Sequence, residues 1–400
     1  MRLIHIIVAA LFGVLSLFTT PVFAQINELP IAFNARVAGD EATTRFFLDI
    51  DKNLSIKTFY MDEPYRIIID LEETVFNFSQ EAKPIARGLI SAVQFGRISK
   101  GRSRIVLSLS GPAEIIKATM QKRLDENYYR FLLDMDSTDQ KTFAALLDTQ
   151  SKALGESGGI AIRGDRVRPI EKAAGRFTVV LDPGHGGIDG GASGRGGARE
   201  KDIVLAFAKI LADQIESRGP YDVLFTREED VFVSLRERLD FSRRSKADLF
   251  ISLHADSLGQ RFVRGATIYT LSKRASDRVS AQLAESENRV DLLAGLPIER
   301  DVEVVSDILA DLTTRETKKF SRTFSNILVA SLKDEIFLIK NPQRSAAFGV
   351  LKAPEVPSVL LELGYLSNSE DEKLMQQPEW QNKVAEAVGI AVDRFFSLRK

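Results

Sequence analysis

The chain has 400 residues, of which 44% are hydrophobic and 27% are charged, and its formal net charge is −1. This length and composition predict a globular protein of two or three domains. The near-zero charge gives no reason to expect nucleic acid or a strongly charged membrane surface as a partner. Because the sequence contains no cysteine, a cysteine nucleophile, a disulfide and a zinc–thiolate site are excluded. Any metal must be held by nitrogen and oxygen atoms.

Residues 1–24 have the features of a secretory signal peptide. Arg2 supplies a positive charge, residues 3–18 are almost wholly apolar, and Ala24 is a small residue at the expected cleavage point. A membrane anchor is the alternative, but the apolar run is short for a bilayer and residues 19–21 interrupt it. We therefore expect export with cleavage after residue 24, and no transmembrane segment in the mature chain.

Residues 25–136 are predicted to form a small all-β sandwich, because β-branched and aromatic runs alternate with turn-like segments. The runs span residues 45–50, 65–71, 103–109 and 128–133. The region holds no histidine and its carboxylates are scattered, which favours a binding or targeting module over an enzyme. A short helix at residues 142–154 and a glycine-rich, charged stretch make up a predicted linker over residues 137–175.

From residue 176 to residue 400, strand-like and helix-like segments alternate. The strand candidates are residues 177–181, 222–226, 249–254, 266–271 and 358–363. The helix candidates are residues 200–218, 234–246, 318–333 and 381–398. This alternation predicts an α/β domain with a mostly parallel sheet that is flanked by helices on both faces.

Residues 272–316 do not fit that plan, because they are too many for an ordinary connection between elements. Residues 276–294 have a helical composition. A further helix is predicted by apolar residues that recur at helical spacing, namely Val302, Val305, Ile308, Leu309 and Leu312. Such an insertion often functions as a lid or as a site for a partner.

Four polar side chains are predicted to meet at one edge of the sheet. His185 follows the first strand, His254 ends the third, Glu362 lies near the end of the last, and Glu200 begins a helix after a glycine-rich loop. In open α/β sheets, ligands bind outside the carboxyl ends of the strands. Two histidines and one carboxylate are the ligands of a catalytic zinc site whose fourth position is left for water. A second carboxylate can then move the water proton to a leaving amine.

Each of these residues also has a non-catalytic interpretation. A histidine at a strand end is often a hydrogen-bonded structural residue. Glu200 can simply favour the N-terminus of its helix. A buried Glu362 without a chemical role requires an ion pair, for which Arg227 is the candidate. Turn-shaping or helix-capping roles are predicted for Asp256 and Asn368.

Five short motifs occur in order: DPGHGG at 182–187, REKD at 199–202, TR at 226–227, SLHAD at 252–256 and LELGYLSN at 361–368. This series resembles the zinc-dependent N-acetylmuramoyl-L-alanine amidases of the cell-separation type, the Amidase_3 family, over residues 176–398. The resemblance implies one zinc ion per chain with His185, Glu200 and His254 as ligands, and Glu362 as the catalytic carboxylate. The front region is similar, in strand pattern and position alone, to the AMIN domain that directs such amidases to the cell wall.

The resemblance further implies a periplasmic enzyme that cleaves the amide between N-acetylmuramic acid and L-alanine of peptidoglycan during daughter-cell separation. In some members of the family a helix over the active site places a glutamate in the open zinc position. Glu287 is the best candidate for that inhibitory ligand, and Glu285 is the next. Activation then requires a partner that binds the open form better, expected to be of the LytM-domain type and to recognise the apolar residues near 302–309.

Two other functions remain open at this point. Another exported zinc hydrolase, such as a peptidase, would use the same ligands, and only product analysis on peptidoglycan separates it from an amidase. A non-catalytic scaffold that binds the cell wall is the second alternative, and the intact ligand set together with Glu362 argues against it.

Overall fold

The computed structural model describes residues 29–79, 82–124, 126–157, 175–296 and 308–399. The predicted signal peptide, residues 158–174 of the predicted linker, and both Val302 and Val305 lie outside the described residues. Within the described ranges, none of the helices combines the length and the apolar character needed to cross a membrane.

The front of the chain folds as two packed β-sheets, which confirms the predicted sandwich. Its strands are β1 (Ile31–Gly39), β2 (Thr43–Ile50), β3 (Ile56–Met61), β4 (Arg66–Glu72), β5 (Val75–Phe76), β6 (Ile90–Ser99), β7 (Arg102–Leu109), β8 (Ala113–Arg123) and β9 (Tyr128–Ser137). One sheet has the order β5-β1-β2-β9-β8, and the other has the order β3-β4-β7-β6. We call this unit the β domain.

The core of the β domain lies between the two sheets. Phe46 and Leu48 of one sheet pack with Ile67 and Leu107 of the other, and all four side chains are fully buried. They occupy alternate positions of their strands, as expected for sheets with one face in the core. Helix α1 (Gln140–Ser157) follows the last strand and packs on the sandwich, since the ring of Phe143 contacts the sandwich aromatics edge to face.

The second domain is built on a sheet of order β11-β10-β12-β15-β13-β14. Its strands are β10 (Phe177–Pro183), β11 (Tyr221–Phe225), β12 (Leu249–His254), β13 (Ala266–Leu271), β14 (Leu338–Ala346) and β15 (Ser358–Glu362). Strand β13 runs antiparallel to β15, while the other neighbouring pairs are parallel. The predicted mostly parallel sheet is therefore confirmed.

Helices cover both faces of this sheet. They are α2 (Glu200–Glu216), α3 (Leu235–Arg244), α4 (Arg278–Glu287), α5 (Val290–Leu293), α6 (Ile308–Leu332), α7 (Ser369–Met375) and α8 (Pro378–Ser397). Phe207 of α2, Phe324 of α6 and Phe395 of α8 pack on one face. Phe250 of β12 and Leu283 of α4 belong to the core on the other face. Residues of the central strands β10, β12 and β15 alternate between the two cores, which explains why these strands are largely apolar.

The predicted insertion contains two short helices and the start of a long one. Helices α4 and α5 lie within the segment predicted to be helical. Helix α6 is continuous from Ile308 to Leu332, so it runs through residue 316 and includes the helix predicted at residues 318–333. The insertion is thus joined directly to a helix that packs on the main core.

The β domain contacts the second domain close to the loop after β10. Ile98 and Val106 of the β domain share an apolar cluster with Ile188 and Phe232 of the second domain. The backbone N–H of Ile188 donates to the carbonyl of Arg97 over 3.1 Å. The loop that follows β10 therefore packs against the β domain.

Phe207→Ala tests the core beneath α2. The Phe207 ring is 0% exposed, so its truncation removes buried apolar surface and leaves a cavity. We expect a loss of about 3–5 kcal/mol in the free energy of unfolding, measured by urea denaturation. Phe262→Ala is the matched control, because that ring is 81% exposed and its loss should leave stability unchanged. Equal stability of the two variants would contradict this description of the core.

Candidate metal centre

The loop after β10 places His185 above the end of the sheet. His185 adopts a positive φ of 59°, in the left-handed region that non-glycine residues rarely occupy. At the preceding residue, Gly184, a Cβ atom would lie 2.5 Å from the His254 ring. The glycine is therefore required for the two histidines to approach each other, and their ring centroids are 5.0 Å apart.

Two buried arginines hold this strained loop. Arg238 donates to the carbonyl of His185 over 2.8 Å and to that of Pro183 over 2.9 Å. Arg227 donates to the carbonyls of Pro183 and Gly184 over 2.9 and 2.8 Å. Burial, and then the charge of Arg238, lower the pKa of Arg227 to about 10. Charged donors on three consecutive carbonyls fix the backbone that presents the first histidine.

Glu200 joins the two histidines. Its Oε2 lies 3.2 Å from His185 Nε2, and its Oε1 lies 3.1 Å from His254 Nδ1. The same oxygens accept hydrogen bonds from the backbone N–H groups of Ala192 and Ala255, each with a donor–acceptor distance of 2.8 Å. The structure thus brings together the three residues predicted to bind metal. Because Glu200 also begins α2, its position at a helix N-terminus and its contact with both rings coexist.

Asp189 orients the first histidine and was not singled out in the sequence. Its Oδ2 lies 2.7 Å from His185 Nδ1, and its Oδ1 accepts a hydrogen bond from the Gly191 N–H over 3.1 Å. A carboxylate at Nδ1 holds the proton on that nitrogen and leaves Nε2 as the donor atom toward a metal. The signal available in the sequence was a carboxylate four residues after a histidine, within the same glycine-rich loop.

Glu287 enters the site from the C-terminal end of α4. Its Oε2 lies 3.8 Å from His185 Nε2 and 3.5 Å from His254 Nδ1, and the residue is 7% exposed. Burial, opposed by the histidine charges, raises the pKa of Glu287. Glu285 instead pairs with Arg289 on the surface, where both side chains are 63% exposed. Of the two candidates, Glu287 is the one that faces the histidines.

The donor atoms fit a transition-metal ion. The ligand atoms of His185, His254 and Glu287 all lie within 4.8 Å of one another, so this buried group can hold a metal. His185 Nε2 is buried without a hydrogen-bond partner, so its lone pair remains available to a metal ion. Burial opposes charge on His185, but the surrounding carboxylates, Glu200 first, raise its pKa well above the usual value. A divalent cation supplies the positive charge that protons otherwise bring, so its binding should release protons.

Glu362 lies beside the histidines on the neighbouring strand. It is the register partner of His254 in the β12–β15 pair and is fully buried. Its Oε2 accepts a hydrogen bond from the Asp256 N–H over 3.1 Å, while its Oε1 has no partner. Burial, and then the charges of Asp256 and Glu200, raise the pKa of Glu362 well above its usual range. The ion pair with Arg227 that a structural role would require is absent among the described residues, since Arg227 bonds backbone carbonyls instead.

Asp256 completes the carboxylate cluster. Its Oδ1 accepts a hydrogen bond from the Ser257 N–H over 2.6 Å, which is the predicted turn-shaping role. Its Oδ2 is buried without a partner, and burial, followed by the charge of Glu200, raises its pKa to about 8. The charge of Asp256 is one of the causes that raise the pKa of Glu362, so the two carboxyl groups titrate as interacting groups.

Asn368, predicted to shape a turn or cap a helix, caps α7 by accepting hydrogen bonds from the N–H groups of Glu370 and Asp371.

Comparison with known proteins identifies the same two regions. A family model described as N-acetylmuramoyl-L-alanine amidase matches residues 179–394, and the AMIN domain model matches residues 34–132. A solved N-acetylmuramoyl-L-alanine amidase from Clostridium difficile 630 has 22% sequence identity and a TM-score of 0.43, and covers 56% of this chain and 99% of that chain.

Curated relatives extend over both regions. The N-acetylmuramoyl-L-alanine amidase AmiC of Escherichia coli O6:H1 is 30% identical over 382 residues, which cover 90% of this chain and 88% of the relative. AmiC of Neisseria meningitidis serogroup B is 30% identical and covers 91% of this chain and 89% of the relative. AmiA of Escherichia coli strain K12 is 36% identical and covers 63% of this chain and 88% of the relative.

Asp189→Asn tests the metal site without reference to catalysis. Asparagine keeps the size of the side chain but removes the charge that orients His185, so we expect zinc affinity to fall about 10- to 100-fold. Competition with a chromophoric chelator measures that affinity. Asp202→Asn is the matched control, because Asp202 is 48% exposed and pairs with Arg199 at the surface. Wild-type affinity in a folded Asp189→Asn protein would show that this contact does not prepare a metal ligand.

Proposed function

Because the chain belongs to the N-acetylmuramoyl-L-alanine amidase family and carries an AMIN domain, we propose that it is a zinc-dependent hydrolase of peptidoglycan. The bond cleaved is the amide between the lactyl group of N-acetylmuramic acid and L-alanine of the stem peptide. The observation that carries the proposal is the buried convergence of His185, Glu200 and His254, with Glu362 on the adjacent strand.

In this proposal His185, Glu200 and His254 hold the zinc ion. When bound, zinc supplies Lewis acidity, which polarises an amide carbonyl and acidifies water. The protein contributes a rigid, water-poor frame, since these three side chains are at most 6% exposed. Asp189 and the backbone N–H groups that bind Glu200 fix the orientation of the ligands.

Glu362 is proposed to carry the proton. Its Oε1 is free of hydrogen bonds and is the atom available to accept a proton from the attacking water. The raised pKa strengthens the carboxylate as a base, and the protonated acid can then deliver the proton to the leaving amine of L-alanine. Asp256 acts through Glu362, because its N–H holds the other oxygen of that carboxyl group.

Glu362→Gln should abolish proton transfer while leaving the ligands in place. We expect hydrolysis of labelled sacculi to fall about 100-fold or more, with zinc content unchanged by metal analysis. Because the pKa of Glu362 is raised, the base form of the wild type is lost as pH falls through that raised value, so activity should decline at higher pH than for an ordinary glutamate. Glu355→Gln is the control, as Glu355 lies on the surface beside Arg243. Full activity of zinc-loaded Glu362→Gln would remove Glu362 as the base.

We further propose that α4 and α5 keep the resting enzyme inactive. Glu287 projects toward the zinc-facing nitrogens of both histidines, where its carboxylate would occupy the position that the reaction needs for water. The end of α4 is held by Asn288, whose Oδ1 accepts from the Gly349 N–H over 2.6 Å and whose Nδ2 donates to Ala347 O over 2.9 Å. These bonds keep Glu287 in place without a contribution from the metal.

Glu287→Gln tests the inhibitory role. The neutral amide is a weaker ligand than the carboxylate, so the open form should gain population and basal hydrolysis should rise about tenfold. Release of dye from labelled sacculi measures the rate. Glu285→Gln on the same helix is the matched control, because its side chain lies on the surface. Equal rates for the two variants would end the inhibitory interpretation.

The cellular role belongs to the same proposal. The enzyme is expected to be exported to the periplasm and to separate daughter cells by detaching stem peptides from glycan. Activation requires a protein, proposed to be of the LytM-domain type, that binds the insertion in its open form. The apolar residues near 302–309 proposed as its target lie outside the described residues or have undescribed side chains.

The β domain is proposed to bind the cell wall through the outer face of its five-stranded sheet. There Arg130 pairs with Asp49 over 2.6 Å and donates to the Tyr128 hydroxyl over 2.8 Å, while Asn34 donates to Asp49 over 2.7 Å. The Arg130 guanidinium also lies 5.7 Å from the centre of the Phe47 ring. A face that carries polar groups beside aromatic rings suits a hydroxyl-rich glycan.

A peptidase that uses the same metal ligands is the alternative enzyme. Mass spectrometry of the products separates the two: an amidase releases stem peptides that begin with free L-alanine, whereas a peptidase leaves shortened peptides on the glycan. A non-catalytic scaffold would release neither, and the buried, unpaired oxygen of Glu362 argues against it, since such a group is costly without a chemical role.

A further inference from the structure

The β domain forms hydrogen bonds with α5 and the turn after it, at the end of the two helices proposed to be inhibitory. We call residues 290–296 the latch segment; it consists of α5 and the turn after it. Arg66 of β4 donates to the carbonyl of Leu292. Arg104 of β7 donates to the carbonyl of Ala294 over 2.9 Å and lies 3.4 Å from that of Gly295. Two arginines from paired strands therefore bind three carbonyls of a segment that lies 190 to 226 residues further along the chain.

These contacts lie at the C-terminal end of α5 and in the turn after it. Leu292 is in the last turn of α5, while Ala294 and Gly295 follow the helix, and charged donors form strong hydrogen bonds with such carbonyl groups. Asp70 orients Arg104, because its carboxylate accepts hydrogen bonds from Arg104 Nε and Nη2 at distances of 2.5 and 2.8 Å. Both arginines are buried, at 2% exposure for Arg66 and 0% for Arg104. The latch segment thus meets preoriented donors that are shielded from water.

Apolar packing at the same place requires a glycine. Gly295 has a positive φ of 71°, and a Cβ atom there would lie 2.5 Å from Ile68 Cδ1 and 3.5 Å from Val106 Cγ2. Ala294 is fully buried in the apolar cluster that includes Ile68 and Val106 of the β domain together with Phe232 of the second domain. The latch segment is therefore packed between the two domains.

The latch segment is directly linked to Glu287. Only Asn288 and Arg289 separate the end of α4 from the start of α5. Asp291 connects α5 to α3, because its Oδ1 accepts a hydrogen bond from the N–H of Leu235 at 3.0 Å. A displacement that withdraws Glu287 from the histidines by moving α4 and α5 together also moves the carbonyls that the β domain holds.

We propose that the β domain is a second anchor of the closed state, so that the enzyme opens only when Arg66 and Arg104 release the latch segment. This inference rests on the proposed inhibitory role of Glu287. It gives the β domain a regulatory role in addition to targeting. An activator must then overcome contacts from both domains, and any event that moves the β domain favours hydrolysis.

Gly295→Ala tests the proposal in the full-length mature protein. The added methyl group must displace Ile68 and strains the backbone, without touching the residues proposed for catalysis. Arg66→Gln is a second variant that removes the charged donor from the β-domain side. Gly101→Ala is the matched control, because Gly101 also has a positive φ, of 78°, but a Cβ atom there meets nothing within 4 Å.

Two measurements are made on each variant. Hydrogen–deuterium exchange of peptides within residues 278–296 reports whether the segment is held, and dye release from sacculi reports basal hydrolysis. We expect the exchange rate and the basal hydrolysis rate to rise about tenfold in Gly295→Ala and in Arg66→Gln, and to stay unchanged in Gly101→Ala. The reason is that losing a contact which stabilises the closed state increases the fraction of open enzyme.

The outcomes distinguish this inference from the function on which it rests. Unchanged exchange in both latch variants overturns the anchor. Faster exchange with unchanged hydrolysis also overturns it, provided that Glu287→Gln is activated. If Glu287→Gln itself is not activated, the inhibitory role of Glu287 fails, while the exchange data still show whether the β domain holds the segment.

Discussion

Glu200 is the contact on which the site depends, because one carboxylate reaches both histidines from a third element. Its oxygens lie 3.2 and 3.1 Å from His185 Nε2 and His254 Nδ1, and the backbone of two loops holds the same oxygens. Burying this carboxylate is unfavourable without such partners. Burial works to raise its pKa, but the histidine charges hold that pKa well below the usual range. The group therefore stays ionised and available as a ligand, and the strained His185 loop is held to meet it.

The sequence predicted the interior of the fold better than its margins. Strands β12 and β13 were predicted at their observed bounds, because buried strands are short apolar runs between turn signals. Strand β14 was missed: it is the edge strand of its sheet, is largely polar and contains Pro342. In the β domain, the interior strand β1 and the four edge strands β3, β5, β6 and β8 were also missed. The long helix α6 was divided in two, since apolar spacing alone does not show where separate periodic stretches join.

The residues of the site were likewise predicted only in part. The sequence predicted His185, Glu200, His254 and Glu362 through ordered motifs, and Glu287 through the inhibitory helix that the family resemblance implies. The structure brings all five together, although their roles stay predictions. The partners that orient them were missed. Asp189 contacts His185 through its side chain, and Asp256 holds Glu362 through its backbone N–H. Arg238 acts through backbone carbonyls more than 50 residues away. The contacts of Asp256 and Arg238 join distant parts of the chain and leave no local pattern, whereas Asp189 lies only four residues after His185. The suggested pair between Glu362 and Arg227 was wrong, because Arg227 is used to hold the loop.

His254 and Glu362 are cross-strand neighbours in a parallel ladder. Their separation is therefore inherited from the hydrogen-bonding geometry of the sheet, and no flexible loop has to set it. Shifting β15 by one residue would turn Glu362 to the opposite face and bury an apolar neighbour in its place. The loops around the site can consequently vary, while the distance from His254 to the carboxylate of Glu362 stays as constant as the spacing between two strands.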